Sequence, residues 1–168
     1  RNSLWRLLGD PALGVARLER IESAYGASGK DALAPVSRGS VIVHAPEGLF
    51  MVGSGGAAEP LSLDDLTEGI TIPREDLDDY IVQVLRDPLR QLVDIYLTTK
   101  TSPDSGIGIH FTYSERQGRK VGGGFFPITM PASVGPTASC VWNGRLVLGT
   151  RDGYLLVKDD TVKTDDGT

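Results

Sequence analysis

Glycine and proline punctuate this sequence at short intervals, and that spacing constrains the fold more than any other feature. The 168 residues include 21 glycines and 10 prolines, spread in small clusters between short apolar runs. Glycine adopts turn conformations cheaply and proline interrupts regular hydrogen bonding, so the pattern favours many short elements joined by tight turns. Hydrophobic residues make up 40% of the chain, enough for one domain with its own core. We therefore predict a mainly β fold.

Two hairpins are the clearest local predictions. Residues 40–52 contain two β-type runs on either side of the turn Pro46-Glu47-Gly48. Residues 140–150 contain two more around Asn143-Gly144, the strongest short hairpin signal. Alternating or β-rich runs predict further strands at residues 107–113, 120–130 and 154–157.

Helical spacing occurs near the N-terminus. Residues 12–24 carry Val15, Leu18 and Ile21 three residues apart, and Gly26 follows, which predicts a short helix. Residues 61–66 are expected to form a helical turn capped by Ser62.

Residues 77–99 admit two interpretations. Their apolar spacing fits a pair of helices, with Asp87-Pro88 as the cap and first-turn proline of the second. The same residues fit two strands, 80–85 and 91–98, joined by a turn at residues 86–89. Periodicity alone leaves both alternatives open.

Charge and composition limit the partners that the chain is expected to bind. The formal net charge is −5 and the basic residues are scattered singly, so no nucleic-acid interface is predicted. No apolar run approaches the roughly 20 residues of a membrane span, and no signal peptide is evident. The chain begins at Arg1 without Met and ends in an unfinished turn, so we expect a segment of a longer protein.

Residues that could carry chemistry are few and separated. Cys140, the only cysteine, lies in an apolar run and is predicted to be a buried small hydrophobe. His44 and His110 are isolated in β runs and make no metal signature. Gly122-Gly123-Gly124 lacks the Lys-Ser/Thr pair of a phosphate loop. We predict no catalytic, cofactor-binding or metal-ligating residue, and no small-molecule ligand.

The acidic residues and the turn glycines are expected to be structural. None of the acidic groups has the alternating spacing of a calcium loop, so solvated turns are predicted for Asp64-Asp65, Asp76, Asp78-Asp79, Asp159-Asp160 and Asp165-Asp166. Asp152 is expected to hydrogen-bond its turn backbone. Positive φ is predicted for Gly48, Gly144, Gly153 and Gly167. The aromatic side chains expected in the core or at an interface are Trp5, Tyr96, Phe111, Phe125, Phe126 and Trp142.

An ordered series of short motifs resembles a run found in structural proteins of tailed-phage particles. After Gly9-Asp10-Pro11 and Glu47-Gly48-Leu49-Phe50, the series comprises Asp87-Pro88-Leu89-Arg90, Asp94-Ile95-Tyr96-Leu97-Thr98, His110-Phe111, Gly124-Phe125-Phe126-Pro127-Ile128, Pro136-Thr137-Ala138, Leu148-Gly149-Thr150-Arg151-Asp152-Gly153-Tyr154-Leu155 and Thr164-Asp165-Asp166-Gly167-Thr168. The family is similar to β-propeller-type virion proteins of the tail or head–tail region. The resemblance implies blades of short antiparallel strands, the strand interpretation of residues 77–99, and no catalytic residue.

The resemblance also implies a place and partners for the protein. It implies a structural component of the virion, assembled in the host cytoplasm, that contacts other virion proteins and forms a homo-oligomer. Approximate blades are expected at residues 36–75, 76–131 and 132–168, all within one propeller-like domain. The segments 39–52 and 145–157 look alike and lie about 105 residues apart, roughly two blades of a propeller. Two alternatives remain open: a glycan-binding or glycan-cleaving propeller, and a cellular interaction module of α+β fold.

Overall fold

The structure is a computed structural model in which β-strands dominate. It describes residues 3–21, 26–36, 39–61, 71–89, 92–100 and 135–158, together with the backbone of residues 109–114 and 125–127. The strands in these ranges are β1 Trp5–Leu8, β2 Arg17–Arg20, β3 Leu33–Pro35, β4 Val41–Ala45, β5 Gly48–Val52, β6 Ala58–Pro60, β7 Tyr80–Asp87, β8 Leu92–Thr99, β9 Ile109–Ser114, β10 Phe125–Pro127, β11 Pro136–Trp142, β12 Arg145–Thr150 and β13 Leu155–Val157. The prediction of a mainly β fold is confirmed.

The strands form four antiparallel sheets, and each strand pairs with its neighbours along the chain. We call them the N-terminal hairpin (β1–β2), the proximal sheet (β3–β6), the central sheet (β7–β10) and the distal sheet (β11–β13). The proximal and central sheets each have four strands, and the distal sheet has three in the described part of the chain. The order within each sheet is that of a simple meander.

Both predicted hairpins are confirmed. In the proximal sheet β4 pairs with β5 across the turn at Pro46-Glu47, and Gly48 has the predicted positive φ of 130°. In the distal sheet β11 pairs with β12 across Asn143 and Gly144, whose φ values are 48° and 76°. Positive φ at both central residues is the requirement of a type I′ turn, which matches the twist of the flanking strands. Gly153 also has positive φ, whereas Gly167 lies outside the described residues.

Residues 80–99 form strands, so the helical interpretation of this segment is wrong. β7 and β8 pair in continuous antiparallel register from Tyr80↔Thr99 to Asp87↔Leu92. A short 3₁₀ turn at Leu77–Asp79 is the helical structure that precedes them. The Asp87 carboxylate accepts a hydrogen bond from the Leu89 amide at 2.9 Å, so it stabilises the hairpin turn and caps no helix.

The predicted helix at residues 12–24 is also wrong. Its described part contains a 3₁₀ turn at Pro11–Leu13, capped by the Asp10 carboxylate, and then strand β2. Gly14 ends the turn in the left-handed conformation at φ 70°, so the chain reverses and Leu18 pairs with Leu7 of β1. The helical turn predicted at residues 61–66 lies outside the described residues, apart from Leu61.

Strands β7 and β8 of the central sheet are covered on both faces. On one face Val82, Val84, Val93, Ile95 and Leu97 form a core cluster with proximal-sheet residues that include Ala34, Ile42 and Leu49. On the other face Leu85 and Tyr96 pack against Leu146 and Leu148 of the distal sheet. Successive residues of a strand point to opposite faces, which is how β7 and β8 supply both clusters. The proximal, central and distal sheets therefore form three layers.

Successive sheets meet through their first strands. Those strands, β3, β7 and β11, each lie at an edge of their own sheet, and β7 contacts both β3 and β11. In addition, β7 contacts β4 of the proximal sheet, and β11 contacts β8 of the central sheet. The Val84 amide at the edge of β7 donates to the Asp31 carbonyl at 2.8 Å, which satisfies a backbone group that its own sheet leaves free.

Candidate functional site

The residues that the sequence singled out for chemistry lie in different layers. His44 is fully buried in the proximal sheet, where its Nδ1 lies 2.8 Å from the Ser28 hydroxyl. The Ser28 amide donates to the His44 carbonyl at 2.9 Å, so the pair fastens the segment before β3 to β4. Cys140 lies in the distal sheet, and the backbone of His110 lies in β9 of the central sheet. The side chain of His110 is outside the described part.

Cys140 is exposed, so the prediction of a buried thiol is wrong. It lies on the first strand of the distal sheet, paired in register with Val147. Both residues belong to the face of that sheet that points away from the central sheet. The apolar run around Cys140 predicts burial, but local sequence does not show which face of a strand is covered.

The acidic residues that the sequence emphasised are solvated where the structure describes them. Asp76, Asp78 and Asp79 are exposed beside the 3₁₀ turn that precedes β7, and Asp152 is exposed in the turn after β12. Asp64-Asp65, Asp159-Asp160 and Asp165-Asp166 lie outside the described residues. Within the described ranges, no three His, Cys, Asp or Glu side chains are grouped as metal ligands would be.

A buried acid that the sequence did not single out ties the central sheet to the distal sheet. Asp94 of β8 is fully buried, and its Oδ2 lies 2.6 Å from Nζ of Lys158, just after β13. The Tyr96 hydroxyl donates to the same oxygen at 3.2 Å. Removing either charge would leave the other without its partner, so the pair holds the two layers in one arrangement. Its burial keeps the Asp94 carboxylate away from any substrate in solution.

A second tie joins the same two sheets at the far end of β8. The Arg151 guanidinium, in the turn after β12, donates to the Thr99 carbonyl. The Arg151 amide donates to the Gly135 carbonyl at 3.3 Å and extends the pairing of β11 with β12. Two cations of the distal sheet thus contact β8 near both of its ends, and they fix the orientation of one sheet on the other.

Some polar groups between the Asp94–Lys158 ion pair and the Arg151–Thr99 hydrogen bond have no hydrogen-bond partner in the described structure. Gln83 is fully buried and is paired in register with Tyr96, and neither its amide nitrogen nor its oxygen makes a hydrogen bond. The Thr98 hydroxyl on the same strand face is also buried and unpaired. Unsatisfied buried polar groups cost about 1–3 kcal/mol each, so this face is less stable than an apolar one would be.

The outward side of the distal sheet is apolar and open. Alternation and strand register assign one set of residues to this side, which we call the distal face: Ala138, Cys140, Trp142, Arg145, Val147, Leu155 and Val157. Trp142 is 71% exposed and Leu155 is 76% exposed. Gly149 lies in the same face, where a Cβ would be 3.4 Å from that of Ala138 and 3.9 Å from the Leu155 side chain. The face is therefore flat at its centre.

The N-terminal hairpin exposes a second apolar surface. Trp5, Leu7 and Leu18, which we call the hairpin face, are 57%, 53% and 69% exposed, and the exposed Arg20, the register partner of Trp5, lies on the same side. The opposite side of the hairpin carries Arg6 and its register partner Glu19, which form an ion pair at 2.8 Å. Arg6 also donates to the Ser54 carbonyl of the proximal sheet at 2.9 Å. That hydrogen bond directs the polar side of the hairpin toward the rest of the chain.

Of the aromatic side chains predicted for the core or an interface, the structure places three. Tyr96 is buried between the central and distal sheets, whereas Trp5 and Trp142 are exposed on the two apolar faces. Phe111, Phe125 and Phe126 have their backbone in β9 and β10, and their side chains are outside the described part. The described residues therefore form two exposed apolar surfaces, the distal face and the hairpin face. They also form one set of buried polar contacts between the central and distal sheets.

No protein-family model, curated protein or solved structure matches this chain. No helix among the described residues is long and apolar enough to cross a membrane.

Proposed function

We propose that the chain is a structural segment of β-propeller type that acts through protein–protein contacts in a tailed-phage particle, in the tail or head–tail region. The observation that carries the propeller part is the contact of β7 with both β3 and β11, the first strands of successive meander sheets. Propeller blades are antiparallel sheets, usually of four strands, arranged radially around a channel. Radial sheets approach one another most closely at their innermost strands.

The layering supports the same proposal. Each described sheet beyond the N-terminal hairpin offers a face to the next, and β7 and β8 of the central sheet are buried on both faces. The three sheets occupy residues 33–60, 80–127 and 136–157, and each would be one blade. The particle role comes from the resemblance of the motif series to virion proteins. The exposed apolar faces suit a protein that functions by contact, because large apolar patches on a surface mark interaction sites.

A glycan-binding propeller is the second candidate. Trp142 at the end of β11 and Tyr154 in the connection between β12 and β13 are strongly exposed aromatic residues, and sugars stack on such rings. A glycan-cleaving site would in addition need two carboxylates flanking one bond. The α+β interaction module depended on helices in residues 77–99, where the structure has a 3₁₀ turn at Leu77–Asp79 followed by strands β7 and β8.

Mass spectrometry of purified particles tests the proposed role directly. We expect peptides from this chain in particles of the phage that encodes it, at a stoichiometry comparable to other tail proteins and resistant to a high-salt wash. Negative-stain images of the full-length protein that contains this segment should show a disc with a central depression. Absence of the chain from washed particles would contradict the virion role. Specific signals on a glycan array, abolished by Trp142→Ala, would favour the second candidate.

A further inference from the structure

The N-terminal hairpin has little of its surface covered by the rest of the described chain. None of the residues of β1 or β2 is buried. Arg6 joins the hairpin to the proximal sheet through its hydrogen bond to the Ser54 carbonyl at 2.9 Å. A two-stranded hairpin is marginally stable by itself in water, so its exposed apolar side chains would gain from a further contact.

The loop that joins β1 to β2 exposes apolar side chains on a backbone fixed by local contacts. Leu13 and Val15 are 73% and 65% exposed. Gly9 has φ 89°, and a Cβ there would lie 2.6 Å from the Val15 carbonyl oxygen, so the loop closes this tightly only with glycine. The Asp10 carboxylate accepts a hydrogen bond from the Ala12 amide at 2.8 Å. The acid of the loop is therefore used to stabilise the turn that presents the apolar side chains.

The hairpin face changes in character from the loop to the far end of the strands. Leu7 and Leu18 are register partners near the loop, whereas Trp5 and Arg20 are register partners at the far end. Three residue steps separate Trp5 from Leu8, the last residue of β1, so Trp5 and Arg20 lie roughly 10 Å from the start of the loop. The exposed side chains thus run from aliphatic at the loop to a tryptophan and an arginine at the opposite end.

The hairpin differs in charge from the chain as a whole. Residues 3–21 contain three arginines and two acids, whereas the 168 residues together have a formal net charge of −5. Arg6 is paired with Glu19 at 2.8 Å, and Arg17 and Arg20 are exposed. An anionic surface would therefore attract the hairpin and repel much of the remaining chain, so that the hairpin approaches such a surface first.

We propose that the N-terminal hairpin binds the surface of a lipid bilayer with anionic headgroups and inserts its apolar loop. A bilayer interface accepts aliphatic side chains among the acyl chains, tryptophan at the headgroup level and arginine beside the anionic headgroups. The hairpin has this order over roughly 10 Å, and amphipathic surface elements are buried to about 5–10 Å. A protein groove requires no such graded order, which is why lipid is the inferred partner. The proposal needs neither a propeller nor a particle, so it is independent of the proposed function.

Tryptophan fluorescence tests which surface enters the lipid. The protein has two tryptophans, so Trp142→Phe leaves Trp5 as the only one, and Trp5→Phe leaves Trp142. Vesicles of equimolar phosphatidylcholine and phosphatidylglycerol should shift the emission of Trp5 to shorter wavelength and protect it from quenching by acrylamide. Vesicles of phosphatidylcholine alone should have a much smaller effect, because they lack the anionic charge. The emission of Trp142, on the distal face, should stay unchanged with both kinds of vesicle.

Co-sedimentation with the same vesicles measures the contribution of the apolar loop. The loop variant carries Leu13→Gln and Val15→Thr, and it should bind anionic vesicles about tenfold more weakly than the wild type because apolar area no longer enters the bilayer. Leu89→Gln is the matched control and should bind as the wild type does, because Leu89 is 71% exposed but lies in the turn after β7. Circular dichroism and thermal unfolding establish that each variant is folded before binding is measured.

The same assay measures the contribution of charge. Arg17→Gln with Arg20→Gln should weaken binding to anionic vesicles by about tenfold or more and remove most of the preference for phosphatidylglycerol. Added salt should weaken the binding of the wild type more than that of this variant, because screening acts on the attraction that the two arginines provide. Lys30→Gln with Arg145→Gln is the matched control: it removes two exposed cations outside the hairpin and should leave binding nearly unchanged.

Three results would overturn the proposal: a wild-type protein that binds neither kind of vesicle, an emission shift of Trp142 in place of Trp5, or a folded loop variant that binds as the wild type does. If the wild type binds no vesicle and the hairpin variants are lost from washed particles, the hairpin face contacts a virion protein and the lipid proposal is wrong. A chain that binds vesicles but is absent from washed particles overturns the virion role alone.

Discussion

The central and distal sheets invert the usual relation between polarity and burial. In β8 of the central sheet Asp94 and Thr98 are fully buried, together with Gln83 on β7. In the distal sheet the exposed residues include Trp142 and Leu155. Strand alternation separates a polar from an apolar side in β7 and β8, whereas both sides of the distal sheet are largely apolar, so alternation does not decide which side is covered. The order in which the sheets stack determines which side of each sheet is buried.

The central and distal sheets are also stabilised by different kinds of contact. The central sheet is held by apolar burial on one face and by a mixed polar and apolar contact on the other. The distal sheet packs Leu146 and Leu148 inward and otherwise depends on its turns and on the contacts of Lys158 and Arg151 with β8. Substitutions of similar chemistry should therefore have unequal effects in the two sheets.

The largest difference is expected between matched apolar truncations. Ile95→Ala in the central sheet removes a fully buried side chain from the core and should lower the free energy of unfolding by about 2–5 kcal/mol. Leu155→Ala on the distal face should change it by less than about 0.5 kcal/mol, because that side chain is mostly in water. Urea denaturation followed by circular dichroism measures both. Equal losses would show that the distal face is covered within one chain.

Breaking the buried ion pair between Lys158 and Asp94 should cause the second-largest loss in the free energy of unfolding. Lys158→Met removes the ammonium group that lies against the buried Asp94 carboxylate while the hydrogen bond from the Tyr96 hydroxyl remains, and we expect a loss of about 3 kcal/mol. Lys30→Met is the control, since Lys30 and Asp31 lie 3.9 Å apart with exposed side chains, and its effect should stay under about 0.5 kcal/mol. The same denaturation experiment applies. A negligible effect of Lys158→Met would mean that the sheets are held without this pair.

Gln83→Met should stabilise the protein, in contrast to the preceding substitutions. The substitution replaces a buried amide that makes no hydrogen bond with an apolar side chain of similar length, so the free energy of unfolding should rise by about 1–2 kcal/mol. Thr98→Val removes another unpaired buried hydroxyl and should also stabilise the protein, by a smaller amount. A decrease for both variants would indicate that ordered water satisfies these groups.

The smallest predicted effect distinguishes two glycines of the distal sheet. Gly144 has φ 76°, so Gly144→Ala should cost about 1 kcal/mol through backbone strain in the hairpin turn. Gly149 has no positive φ, and a Cβ there would make ordinary contacts, so Gly149→Ala should leave the stability of the monomer nearly unchanged. Thermal unfolding monitored by circular dichroism resolves the pair. Equal destabilisation would contradict a distal sheet organised by its turns.

Local sequence predicted those parts of the fold that local interactions determine. The Asn143-Gly144 pair indicated its hairpin because few other sequences adopt positive φ at two successive residues. Residues 80–99 remained ambiguous because β-rich runs of this length also fit a helical period, and the choice depended on pairing with other strands. The helix predicted from residue 12 fails at Gly14, which reverses the chain.

The candidate site was less predictable because its contacts are distant in sequence. Lys158 and Asp94 are 64 residues apart, and the residues around each of them do not indicate that the two form an ion pair. An acid within a β run is normally a solvent-facing residue, and only the docking of the distal sheet buries Asp94. The exposure of Cys140 and Trp142 depends in the same way on the absence of a covering layer within the described chain.

The meander order of the sheets has a consequence for how the protein folds. Because each strand pairs only with neighbours along the chain, the loops that close during strand pairing are short, and closing a short loop costs little entropy. Each sheet can therefore assemble from a contiguous stretch of sequence, and low contact order of this kind accelerates folding relative to other β topologies. The slow step should be the docking of finished sheets, when Lys158 and Arg151 first reach β8 and the Asp94 carboxylate leaves water.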